Sequence, residues 1–167
     1  TTDSVPDRPL RILIAEDNQS DRMILHAILT RQGHEVVMAA DGLEAVEAYY
    51  RESPQMVLLD AMMPRMDGLA AAREIKAAAG EQLVPIIFLT SLSDPESLAS
   101  CLEVGGDDFL SKPYNRVILR AKINALRRMR ELHESLQKER DLTNQRNEQM
   151  RHEQEMARRV FDNIAHR

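Results

Sequence analysis

The chain of 167 residues holds one cysteine, Cys101, so an internal disulfide and a cysteine zinc cluster are both closed to it. Cys101 falls in a helical apolar pattern and reads as a small buried hydrophobe. No apolar run approaches the ~20 residues that a membrane helix needs, and no signal-peptide pattern opens the chain. The expectation is a soluble cytoplasmic protein with no membrane partner. A basic excess is missing as well: 22 Lys and Arg stand against 27 Asp and Glu, net −5, so nothing points to nucleic acid. The charge is unevenly spread, however. Residues 1–113 carry 9 basic and 19 acidic residues, whereas residues 114–167 carry 13 basic and 8 acidic. From Tyr114 to Arg167 glycine and proline are both absent, which leaves nothing to interrupt a helix.

The central stretch is Met56-Val-Leu-Leu-Asp60-Ala-Met-Met-Pro64. Four apolar residues in a row predict a short strand buried on both faces, and Pro64 cannot continue it. Such a strand delivers Asp60 to the carboxyl rim of a sheet, where open α/β folds bind ligands. Similar strands are predicted at 10–16, 35–39, 85–90 and 108–111. Helices are predicted between them, over 20–32 with Met23, Ile24, Ala27 and Ile28 apolar, and from Asp41 as cap to about Glu52 with Leu43, Val46 and Tyr50 on one face. A third ends near Ala79, and a fourth opens at Asp94-Pro95 and closes at Gly105-Gly106. Alternating strands and helices predict a parallel sheet covered on both faces. Right-handed crossovers make the flavodoxin-like (βα)5 order 2-1-3-4-5 the simplest topology. The expected organisation is a loose lead-in over 1–9, one α/β domain over 10–125 and a linker helix over 126–167, whose first turns pack on the sheet through Val117, Ile118, Ala121 and Ala125.

In that topology the strand ends share one rim. They carry Glu16-Asp17, Asp60, Thr90-Ser91 and Lys112. Three carboxylates brought together repel unless a cation neutralises them, and Mg²⁺ is the hard divalent ion suited to oxygen ligands. Lys112 and the Thr90 hydroxyl then await an acceptor that a phosphoryl group supplies, with Asp60 as nucleophile forming an acyl phosphate. Each residue has a plainer reading: a polar turn for Glu16 and Asp17, a loop cap for Asp60, a β-branched strand residue for Thr90, a solvated charge for Lys112. Those readings have to hold together at four separate strand ends.

The acidic pair Glu16-Asp17, Asp60 with Met-Met-Pro64 and Asp67-Gly68, Thr90-Ser91, and Lys112-Pro113 resemble, as a set, the bacterial response-regulator receiver domain over residues 10 to about 125. The resemblance implies that Asp60 accepts phosphate from a sensor histidine kinase or a phosphotransfer protein. It implies that Glu16, Asp17, Asp60 and the Met62 carbonyl bind Mg²⁺, and that Lys112 pairs with the phosphoryl oxygens. It also implies a switch in which the Thr90 hydroxyl moves to the phosphoryl group and the Phe109 ring follows; plain core packing is the alternative for Phe109. Two departures are visible. Glu16 stands where Asp is frequent, and Met62 lacks the polar side chain that some members carry.

Beyond the domain, Ala125, Met129, Leu132, Leu136, Glu139, Thr143, Arg146, Met150, Glu153, Ala157, Val160 and Ile164 form a three–four seam. A parallel coiled-coil homodimer through residues 125–164 would bury it, weakened by Glu139, Arg146 and Glu153; a solvated single helix is the alternative. The last fifteen residues resemble the run leading into metal-dependent Ser/Thr phosphatase domains, which suggests a chain cut before an output domain; a diguanylate cyclase is the next candidate. The leading expectation is therefore a phosphorylation-controlled signalling module, not itself an enzyme beyond its own phosphorylation and slow dephosphorylation. A phosphorylation-independent dimerisation adaptor is a second possibility. A third is an aspartyl-phosphate phosphatase, against which Met62 counts because that position would need an acid.

Overall fold

A computed structural model describes residues 8–91 and 95–166. The strands are β1 (Arg11–Ala15), β2 (Glu35–Ala39), β3 (Met56–Asp60), β4 (Ile86–Thr90) and β5 (Asp108–Ser111). The helices are α1 (Gln19–Arg31), α2 (Gly42–Glu52), α3 (Gly68–Ala79), α4 (Pro95–Glu103) and α5 (Arg116–Ala165). All strand pairs are parallel, in the order β2-β1-β3-β4-β5. The expected topology therefore holds, with β3 at its centre. Residues 1–7 of the expected lead-in, and Asp94 at the expected opening of α4, lie outside the described residues.

The pleat sorts the strand residues between two layers. Leu13, Val57, Leu59, Ile86 and Phe88 pack with Val46, Tyr49, Ala72, Ile75 and Cys101 on the α2–α3–α4 side. Ile12, Ile14, Leu58, Ile87 and Leu89 pack with Leu25, Leu29, Leu119, Ile123 and Leu126 on the α1–α5 side. β3 and β4 are buried at every position, as strands between two helical layers must be. Burying one such leucine or isoleucine contributes about 1.5–3 kcal/mol.

Side-chain caps set the helix starts. Asn18, Asp41 and Asp67 each accept from the amide three residues on, and Asn115 accepts from the amides of Val117 and Ile118. Three helix faces differ from expectation. On α1 the buried residues are Leu25 and Leu29, while Met23 and Ile24 are exposed. On α2, Val46 is buried as expected, but its partners are Ala45, Ala48 and Tyr49; Leu43 and Tyr50 are exposed. On α5, Leu119, Ile123 and Leu126 meet the sheet, and Val117, Ile118, Ala121 and Ala125 are exposed.

The chain divides into two compact units, Thr1–Arg130 and Glu131–Arg167. In the second, α5 exposes Leu132, Leu136, Leu142, Met150, Val160 and Ile164. An Arg159–Glu155 pair at 2.9 Å braces one turn of it. Among the described residues no helix is long and apolar enough to cross a membrane.

Candidate functional site

The carboxyl ends of β1, β3, β4 and β5 bring their terminal residues to one rim. β3 ends on Asp60, whose carboxylate is almost fully buried. Its Oδ1 accepts from the Met62 amide at 3.0 Å, and its Oδ2 lies 3.1 Å from Lys112 Nζ. Glu16 follows β1 and has no exposed surface. Its Oε1 accepts from the Asn18 amide at 3.2 Å, and its Oε2 lies 3.2 Å from Lys112 Nζ. Asp17, exposed, completes a trio with Glu16 and Asp60 whose ligand oxygens lie within 4.8 Å of one another.

Burial, and then a hydrogen bond and charge repulsion from Asp60, raise the Glu16 carboxyl to about 7. Burial acts to lower the Lys112 ammonium, but Asp60 and Glu16 outweigh it and hold the group above its ordinary value. Lys112 thus stays charged and bridges two acids, while Glu16 gives up its proton only near neutral pH. An all-oxygen trio of this kind suits a hard divalent cation, which would offset the burial and the charge repulsion that raise Glu16. The chain therefore fits Mg²⁺ at this place.

Thr90 is buried at the end of β4, on the strand beside Asp60, where Leu89 is the register partner of Asp60. Its carbonyl accepts from the Lys112 amide at 3.0 Å, which ties β4 to the residue after β5. Phe109 on β5 pairs in register with Phe88 and packs, half-buried, against the α2–α3–α4 layer. Lys122 Nζ lies 5.5 Å from its ring centroid, held there by both carboxylate oxygens of Asp108 at 2.9 Å. The Met62 side chain is exposed.

Two residues belong to the site that sequence reasoning did not select. Tyr114 donates its hydroxyl to Glu16 Oε2 at 3.0 Å, and burial followed by the Glu16 charge raises its phenol. Asp21 places Oδ2 3.7 Å from Lys112 Nζ. Tyr114 lies two residues past Lys112, across a cis Lys112–Pro113 peptide, so its nearness in sequence was the available signal. Asp21 sits on the first turn of α1, where an acid reads as an ordinary helix-start residue.

The loop after Asp60 is closely fitted. A side chain at Gly68 would run into the Asp60 carbonyl, and one at Gly42 into the Met66 carbonyl. The Gly42 amide donates to that Met66 carbonyl at 3.1 Å. Arg65, at φ 64°, sets its Nε 2.6 Å from Asp41 Oδ2. The segment that follows Asp60 is thereby fastened to the start of α2.

A doubly covered parallel sheet in this order, with a polar pocket at its carboxyl rim, defines an α/β protein of the flavodoxin-like class. Within that class the chain belongs to the response regulator receiver domain family, whose model matches residues 12–124. Over 118 residues it is 42% identical to a probable transcriptional regulator, ycf27, of Porphyridium aerugineum, covering 71% of this chain and 48% of that one. Over 120 residues it is 38% identical to the response regulator MprA of Mycobacterium sp. (strain KMS), covering 72% and 51%. The chain spans about half the length of these curated relatives. Among solved structures it is similar to the receiver domain of the sensor histidine kinase PA1611 from Pseudomonas aeruginosa PAO1, with TM-score 0.65, 34% identity and coverage of 70% and 96%. That structure has a magnesium ion coordinated in its active-site cleft. The chemotaxis protein CheY4 of Vibrio cholerae is also similar, with TM-score 0.66, 27% identity and coverage of 70% and 98%.

Proposed function

We propose that this chain is a phosphorylation-activated receiver in which Asp60 takes a phosphoryl group from the phosphohistidine of a sensor kinase or phosphotransfer protein. The observation that carries the reading is a buried carboxylate at the end of the central strand with an ammonium 3.1 Å away and two further acids beside it. An Asp60 oxygen attacks phosphorus, the P–N bond breaks, and the imidazole leaves with its electron pair; the product is an acyl phosphate. Glu16, Asp17, Asp60 and the Met62 carbonyl would hold Mg²⁺, which supplies charge neutralisation for the incoming phosphoryl oxygens.

The chain's own groups do the rest. Lys112 lets go of Asp60 Oδ2 and pairs with a phosphoryl oxygen. Tyr114 keeps Glu16 turned toward the site. The Thr90 hydroxyl donates to a phosphoryl oxygen, and Phe109 fills the space it leaves, biasing two packings near α4, β5 and α5. The exposed Met62 side chain offers no group to orient attacking water, so loss of the phosphate depends on other residues. Residues 125–164 pair as a parallel coiled coil that relays the switch to an output domain in the cytoplasm.

Asp60→Asn should reduce labelling by a radioactive phosphodonor to background; labelling that persists would move the acceptor elsewhere. Beryllofluoride with Mg²⁺ should change the dimer dissociation constant of the full chain. An unchanged constant would favour the adaptor reading, in which the seam pairs regardless of phosphorylation.

A further inference from the structure

Away from the strand ends, a groove of about 1010 Å³ runs between the last turns of α1 and the first turns of α5. None of Glu16, Asp17, Asp60, Thr90 or Lys112 lines it. Its lining includes the half-buried Ile28 and the exposed Val117, together with Arg8, Arg31, Arg116 and Arg120. No aspartate or glutamate lines it, although residues 1–113 carry acids over bases by 19 to 9. None of the four guanidiniums is paired with a carboxylate among the described residues.

The helix ends sharpen this imbalance. The first turn of α5 holds no acid, and Arg116 stands there against the positive end of the helix dipole. Positive charge is thus concentrated beside an exposed aliphatic strip. Arginine forks suit carboxylates, and an aliphatic floor between two helices suits the apolar face of a third. Phenylalanine, tyrosine and tryptophan are absent from the lining, and its His34 imidazole is buried and accepts from the Leu10 amide, so the groove offers no exposed aromatic platform for a nucleotide base.

We infer that this groove docks an acidic amphipathic helix of a partner protein, with aliphatic side chains on Ile28 and Val117 and carboxylates on the four arginines. The site shares no lining residue with the phosphoacceptor site.

The test is fluorescence anisotropy of the full chain with a labelled synthetic helix that repeats leucine at i, i+4 and i+7 and flanks it with glutamate. The same helix with lysine for glutamate is the control. The glutamate helix should bind at least about tenfold more tightly than the lysine helix, and added salt should weaken it. Arg31→Glu with Arg120→Glu should weaken binding by about tenfold or more. Arg31→Gln with Arg120→Gln gives a smaller loss and serves if the charge reversal does not fold. Val117→Asp should also weaken binding. Equal binding of the two helices, or binding unaffected by the arginine pair, would overturn the inference. So would displacement of the helix by inorganic tripolyphosphate at equal concentration, which would mark a simple phosphate site.

Discussion

Leu58 and Leu136 are the same residue in opposite circumstances. Leu58, on the central strand, has no exposed surface, while Leu136, on the distal part of α5, is 56% exposed. The difference lies in what each element finds within its own unit. A strand in a parallel sheet receives a helical layer on either side, so both rows of its side chains are covered. The stretch 131–165 repeats apolar residues just as regularly, yet meets no second layer within its unit. Regular spacing states that a face is apolar. Whether that face is buried depends on a partner.

The largest expected contrast is thermodynamic. Leu58→Ala should lower the unfolding free energy of the receiver unit by about 2–5 kcal/mol in urea titrations. Leu136→Ala should leave that unit within about 0.5 kcal/mol of the parent and act on self-association instead. Equal losses from the two would erase the contrast. The second effect sharpens it from the other side. In a parallel pair, Glu139, Arg146 and Glu153 each face their own copies; leucine at all three should strengthen dimerisation by about 1–4 kcal/mol in sedimentation equilibrium. An unaltered dimer constant would remove the seam from the interface.

A smaller effect concerns pH. Burial first, and Asp60 next, raise Glu16 from 4.5 to about 7 in the folded chain. Between those values the folded protein holds a proton that the unfolded chain has lost. Metal-free stability should therefore fall as pH rises from about 4.5 to 7, with the cost fully present above 7. Glu16→Gln should flatten that decline in urea midpoints measured across the window, and Mg²⁺ should offset it at the upper end. The smallest effect is Arg65→Ala, which removes an exposed guanidinium from its ion pair with the buried Asp41 carboxylate and should lower the urea midpoint only slightly. Asp41→Ala removes the cap of α2 as well and should cost more, about 0.5–2 kcal/mol for the cap.

The central strands were legible because a buried parallel strand is a continuous apolar run, and 56–60 and 86–90 fall where those runs predict. The rim followed from topology: once Asp60, Thr90 and Lys112 end parallel strands, their shared edge needs no further information. Helix rotation was less legible. Met23-Ile24 and Leu25 are adjacent in sequence and about 100° apart around the axis, so spacing alone admits either stripe. Packing on the sheet decided for Leu25 and Leu29. Tyr114 was missed because nothing in the spacing shows that its hydroxyl turns back to Glu16, 3.0 Å away; its place two residues past Lys112 was the one available signal.

Asp107 joins three elements at the opposite edge of the sheet. Its Oδ2 accepts from the Ile86 amide at 2.8 Å and from Lys76 Nζ at 2.9 Å, and Lys76 also reaches the Val84 carbonyl at 2.8 Å. β4 and β5 are thereby riveted at their feet to α3, whereas their tips carry Thr90 and Lys112. Under the proposed phosphorylation, a displacement begun beside Asp60 should therefore show at Thr90 and Lys112 rather than at the Asp107 end of the two strands.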